Sequence, residues 1–138
     1  MSSEQLVPNS YVGMPAHMKL EAFGDEIWSA FGQPAYLVGS ATRSKHWRDV
    51  DVRLILSDGE WIALGLSDWR RPSQCRKWRA LCLAFSALGR DMTGLPIDFQ
   101  IIHQQKSTDF YSGETRVCIG LVPWRFAKPE LTGPEYEI

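Results

Sequence analysis

The sequence predicts one α/β domain built as a small mixed β-sheet flanked by two long helices. Two segments repeat apolar residues at helical spacing, three short runs alternate or cluster apolar residues at strand spacing, and the two kinds of segment interleave along the chain. At 138 residues with 44% hydrophobic content, the chain has the size and the apolar mass of a single compact core.

The elements follow in chain order. After the punctuation at Pro8 and Pro15, Leu20, Phe23, Ile27 and Ala30 or Phe31 recur at helical spacing, with Lys19, Glu21, Asp25 and Glu26 off that stripe. A first helix is therefore expected from about Pro15 to Phe31, stopped by Gly32. Tyr36 to Val38 reads as a short strand, Gly39 and Ser40 as a turn, and Asp49 to Leu56 as a second strand. Glu60 to Leu66 is expected as a third, joined by a hairpin through Ser57, Asp58 and Gly59. A second long helix is expected from about Ser73 to Arg90, with Ser73 as N-cap and Trp78, Leu81, Cys82, Phe85 and Leu88 as its apolar stripe. Gly94 to Pro96 leads into a strand over Ile97 to Ile102, where Ile97, Phe99 and Ile101 share one face. Val117 to Val122 reads as a final strand. The Pro and Gly residues from about 123 onward predict an extended tail.

Composition narrows the function classes. A net charge of −1 and a pI near 6.3 lack the cationic excess of a protein that coats nucleic acid or an anionic membrane. Cys75, Cys82 and Cys118 form no C-x-x-C pair, which favours a reduced, cytoplasmic setting. His17 and His103 have no spacing to another His or Cys that suggests zinc. No run approaches the roughly 18 apolar residues of a membrane span, and the N-terminus has no signal-peptide pattern, so no membrane partner is expected.

The segment A-Y-L-V-G-S-A-T-R-S-K-H-W-R-D-V-D-V-R-L-I-L, residues 35 to 56, carries the chemistry. Side chains alternate across a strand, so Asp49, Asp51 and Arg53 emerge on one face while Val50, Val52 and Leu54 take the other. Two carboxylates that close repel unless a cation sits between them, and the pair reads as a divalent-metal clamp. Asp98, on a later strand, supplies a third carboxylate.

Gly39-Ser40, Arg43, the Asp49-x-Asp51 pair and a later lone Asp98 together resemble the nucleotidyltransferase superfamily that includes DNA polymerase beta, and especially its minimal nucleotidyltransferases. The resemblance covers residues 34 to 102. It implies a nucleotidyltransferase-like core over the single domain and an enzyme that moves a nucleoside monophosphate from a nucleoside triphosphate such as ATP to a hydroxyl. It further implies Mg²⁺ or Mn²⁺ held by Asp49, Asp51 and Asp98, which are also the catalytic residues. Gly39, Ser40, Arg43 and Lys45 would hold the nucleotide: the glycine admits the phosphates, and the cations neutralise them. The acceptor is a protein, an RNA or a small molecule, with room for a partner subunit or a homo-oligomer to complete its site. Here Arg48, not a serine, precedes the first aspartate.

Other readings stand beside this one. The same fold in a catalytically silent form would bind a nucleotide or a partner chain. Asp49 and Asp51 would then be the solvent face of a strand, paired with Arg48 or Arg53. His46 and Trp47 suit loop packing better than base stacking. Arg70, Arg71, Arg76, Lys77 and Arg79, interleaved with Trp69 and Trp78, hold five of the fifteen basic residues in ten positions. They suit either an RNA groove or, preferably, the wet side of a helix. The stretch D-F-Y-S-G-E-T-R, residues 109 to 116, matches no motif.

Overall fold

The computed structural model describes residues 10–122; the expected tail from 123 lies outside them. The chain is mixed α/β. It runs α1 (Ala16–Phe31), β1 (Ala35–Val38), a 3-10 turn (Gly39–Thr42), β2 (Val50–Leu56), α2 (Asp58–Ala63), a second 3-10 turn (Pro72–Gln74), α3 (Arg76–Thr93), β3 (Ile97–His103), α4 (Gln104–Tyr111) and β4 (Val117–Ile119). The four strands form one sheet in the order β3-β2-β1-β4. β1 is antiparallel to both β2 and β4, and β2 is parallel to β3.

Strand periodicity sorts the sheet's two faces. Val50, Val52, Leu54 and Leu56 of β2 are buried, and Asp51, Arg53 and Ile55 between them are only half-buried. β3 repeats the pattern, with Ile97, Phe99 and Ile101 inward and Asp98 and Gln100 outward. The inward face packs on α1 through Leu20, Phe23 and Ile27 and on α3, all three α1 side chains being fully buried. Phe99 is the hub of this layer: its ring lies 6.4 Å from that of Phe23, 6.4 Å from Phe31 and 5.5 Å from Phe85. Such ring pairs add about 0.5–1.5 kcal/mol each beyond their buried area.

α1 ends where Gly32 adopts φ 71° and its N–H returns to the Trp28 carbonyl, as expected for a left-handed C-cap. α3 ends the same way at Gly94. β3 is an edge strand, and α3 covers its exposed backbone with side chains. Trp78 Nε1 donates to the Ile101 carbonyl at 2.8 Å, Arg90 Nε to that of Ile97 at 3.1 Å, and the Phe99 N–H donates to Ser86 Oγ at 2.9 Å. An edge satisfied in this way is not a template for pairing with another chain.

The segment expected as a third strand is a helix. Ser57 Oγ accepts the Glu60 N–H while the Glu60 carboxylate accepts the Ser57 N–H, a reciprocal capping box that starts α2 where a hairpin turn was expected. Only Trp61 of this helix is buried, its Nε1 donating to the Ser67 carbonyl at 2.7 Å. Helix α3 starts at Arg76, three residues after its expected start. Ser73 lies in the preceding 3-10 turn and caps nothing; Cys75 holds the N-cap position without a side-chain hydrogen bond. Leu88, expected on the apolar stripe, is exposed. The last strand ends at Ile119, short of Val122.

Helix α4 has no counterpart in the sequence reading, because its residues QQKSTDFY carry no apolar stripe. It is started by its neighbour: His103 Nδ1 accepts the Gln105 N–H at 2.9 Å, which leaves Nε2–H to donate to Asp58 Oδ1 at 3.0 Å. One buried imidazole thus ties β3 and α4 to α2.

The closest backbone approach gives a test. A Cβ on Gly24 of α1 would lie 2.6 Å from the backbone carbon and oxygen of Ile119, whereas one on Gly59 of α2 would meet nothing within 4 Å. Gly24→Ala is predicted to lower the unfolding free energy by about 1–3 kcal/mol. Gly59→Ala should raise it by roughly 0.5–1 kcal/mol through helix propensity. Urea denaturation of the two variants checks both signs.

Candidate functional site

The hydrophobic register of the parallel pair brings the acidic residues together. Val50 lies opposite Ile97 and Val52 opposite Phe99, all four fully buried, so Asp51 between them falls opposite Asp98. Both residues point away from the buried apolar face of the sheet, Asp98 at the edge that α3 borders. Asp49 sits one residue before β2, exposed, where the strand has not yet begun.

The turn after β1 faces this pair. Val38, the last residue of β1, is the register partner of Asp51. Gly39 follows with φ 77°, and a Cβ there would lie 2.5 Å from Asp51 Oδ2. Only glycine tolerates both the left-handed backbone and that proximity. Ser40 continues the 3-10 turn, which is closed by Thr42 Oγ1 donating to the Gly39 carbonyl at 2.7 Å and by the Arg43 and Ser44 N–H groups donating to the Ser40 carbonyl. Arg43 and Lys45 are exposed on the loop beyond. Trp47 packs against the core and donates from Nε1 to the Tyr11 carbonyl, in line with the packing reading of that residue; His46 is exposed.

Burial pushes the Asp51 carboxyl above its ordinary value; the positive charge of Arg53 opposes the rise, and the negative charges of Asp98 and Asp49 add to it. Among the described residues, no ion pair joins these carboxylates to Arg48 or Arg53, the pairing that an ordinary strand surface would use. Arg53 instead donates weakly to the Val52 carbonyl at 3.5 Å. The site thus concentrates negative charge without neutralising it by contact.

The arrangement is a pair with a flanking third, not a closed cage. Among the described residues, no group of three His, Cys, Asp or Glu side chains stands where it would hold a metal ion unaided. Asp98 also lines a small cavity of about 190 Å³ between β3 and α3, together with Arg79, Cys82, Ser86 and Arg90. A larger cavity of about 490 Å³ opens at the far end of β2, where Tyr36, Ile55, Ser57, Ser107 and Arg116 line it. The larger volume lies away from the carboxylates; the charge pattern, not cavity size, selects the site. The sequence reading missed Tyr36 and Arg116 here, because neither belongs to a motif and the fold alone brings them together.

The three cysteines are free, Cys75 and Cys82 being buried and Cys118 exposed. Among the described residues, no helix is long and apolar enough to cross a membrane. The chain matches no family model, no curated protein and no solved structure at a significant level.

The raised Asp51 carboxyl gives a pH-dependent prediction. The native state holds the Asp51 proton more tightly than the unfolded chain does, so this residue lowers stability as pH rises from the ordinary value of 3.8 through the raised native value. Asp51→Asn removes that loss. The variant is expected to be more stable than wild type at pH 7 in chelator, with the difference shrinking to nothing below pH 3.8, and urea midpoints across that range test it.

Proposed function

We propose that this chain is a divalent-metal-dependent nucleotidyltransferase, transferring a nucleoside monophosphate from a nucleoside triphosphate to a hydroxyl group. The observation that carries the reading is the Asp51–Asp98 register pair set against the Gly39 turn. It puts carboxylates that no ion pair neutralises among the described residues next to a glycine whose left-handed backbone disfavours any side chain.

The residues fit the work required. Mg²⁺ and Mn²⁺ favour oxygen ligands, and Mg²⁺ commonly takes only one or two carboxylates, filling its other positions with phosphate oxygens and water. Asp51 and Asp98, with Asp49 at the strand entrance, fit that donor set, and a cation would relieve the mutual repulsion of these carboxylates. An ion held there would supply positive charge to the phosphates and their leaving group. Gly39 and Ser40 would admit the triphosphate to the turn, and Arg43 and Lys45 would contact its outer phosphates. Asp98 would accept the acceptor hydroxyl proton. The acceptor oxygen then bonds to the α-phosphorus as the bond to the pyrophosphate oxygen breaks, and pyrophosphate leaves with the electron pair.

The acceptor is a protein, RNA or small molecule, and a partner subunit or second copy would complete its binding. Three free cysteines suit a reducing cytoplasm. A second reading is favoured by the lack of a ready three-ligand group: a catalytically silent fold that binds a nucleotide or a partner chain. Labelled nucleoside triphosphates with Mg²⁺ or Mn²⁺ and candidate acceptors separate the two. Transfer is expected, and Asp51→Asn or Asp98→Asn should reduce it at least about a hundredfold, the loss of about 2.7 kcal/mol of transition-state stabilisation, while the variants stay folded. Nucleotide binding without turnover in wild type would establish the silent form instead.

A further inference from the structure

Away from the carboxylates, Trp69 and Arg70, at the start of the basic cluster, meet helix α4 on one surface. Trp69 stacks on His103 with ring centroids 4.9 Å apart and planes 15° from parallel, and the Arg70 guanidinium lies 5.0 Å from the Trp69 centroid. Across from them, Phe110 of α4 is 71% exposed. Trp69, Arg70, Lys106, Asp109 and Phe110 line a cavity of about 510 Å³, roomy enough for a base between aromatic walls.

The neighbouring chain is electrostatically costly by itself. Helix α3 begins with Arg76 and Lys77, followed by Arg79, and has no acidic residue in its first turn and no side-chain cap. Cations at the positive end of a helix dipole destabilise it. Arg71, Arg76, Lys77 and Arg79 are all exposed, and among the described residues none of them forms an ion pair; only Arg70 does, with Asp68 at 3.4 Å. Four cations without an ion pair, following Trp69 and Arg70 in the chain, together with Arg70 and Lys106 at the aromatic cavity, suit a polyanion that also carries ring faces. An anionic lipid surface would satisfy the charge but not the walled cavity.

We propose that this face binds single-stranded nucleic acid, with a base stacking on the exposed Phe110 ring in the cavity walled by Trp69 and Arg70, and phosphates on the cations at the start of α3. Base stacking tolerates any sequence, and phosphate contacts supply most of the affinity. Arg79 of this cluster and Asp98 line the same small cavity at the α3–β3 edge, so a strand held by these cations would bring its hydroxyl end to the carboxylate pair. That last step rests on the nucleotidyl-transfer reading; strand binding does not.

Fluorescence anisotropy with labelled 15-nucleotide oligo(U) and oligo(dT) tests it on the full chain, against duplex of equal length and anionic vesicles. Binding of either single strand is expected, with a log–log salt slope of about −3 for four phosphate contacts. Replacing Arg71, Arg76, Lys77 and Arg79 together by Gln should flatten the slope, and Phe110→Ala should weaken binding about tenfold at unchanged slope. All five sites are exposed, and unchanged thermal unfolding verifies that the variants fold. No binding, binding indifferent to these substitutions, equal affinity for duplex, or a preference for vesicles overturns the proposal. Binding without transfer overturns only the catalytic reading, and transfer to a small acceptor without strand binding overturns only this one.

Discussion

The parallel register between β2 and β3 is the constraint on which the rest of the structure depends. Val50, Val52 and Leu54 must face the same layer as Ile97, Phe99 and Ile101, because α1 and α3 bury that layer completely. A slip of one residue would turn every one of these side chains to the open face. The apolar register is therefore enforced by the whole core, and the polar register comes with it: Asp51 has to stand opposite Asp98, and Arg53 opposite Gln100. The charge that the site accumulates is held in place by hydrophobic burial on the reverse of the same two strands.

Phe99 shows how tightly the two faces are coupled. Its ring is central to the aromatic layer, its N–H is satisfied by Ser86, and its neighbour Asp98 points to the opposite side. Any change that loosens the Phe99 contacts shifts the strand that carries the acid. The half-buried position of Asp51 is the counterpart: its carboxyl rises in pKa because the packed sheet withdraws solvent from a place where two further carboxylates already lie nearby. Stability and charge concentration oppose each other here.

At the other end of β3, a histidine organises the connections. His103 accepts the first N–H of α4, donates to Asp58 of α2 and stacks on Trp69. The cationic surface and the exposed Phe110 are thus fixed to the same strand that carries Asp98, one at each end. Helix α3 links the two ends along the sheet edge, where its side chains satisfy the carbonyls of Ile97 and Ile101 and close the edge to other strands.

The sequence by itself determined what periodicity and local stereochemistry determine. The two long helices, the alternating faces of β2 and β3, the Gly32 stop and the Gly39 turn were all legible, because each rests on a repeat of apolar residues or on a glycine with a distinct backbone role. Grouping Asp51 with Asp98 was legible only as far as strand faces go. Their being opposite one another was decided by β2 and β3 pairing in parallel, a contact between residues 47 apart that no local pattern encodes. The tertiary structure also decided the elements of weak periodicity. Residues 60–66 form a short apolar run that reads as a strand, but the Ser57–Glu60 capping box and the burial of Trp61 fold their first half as α2. Helix α4 exists because a buried histidine, held from α2, caps it. Local propensity fixes an element only when its own residues supply most of its free energy; where neighbours supply it, as in α2 and α4, the fold has to form first.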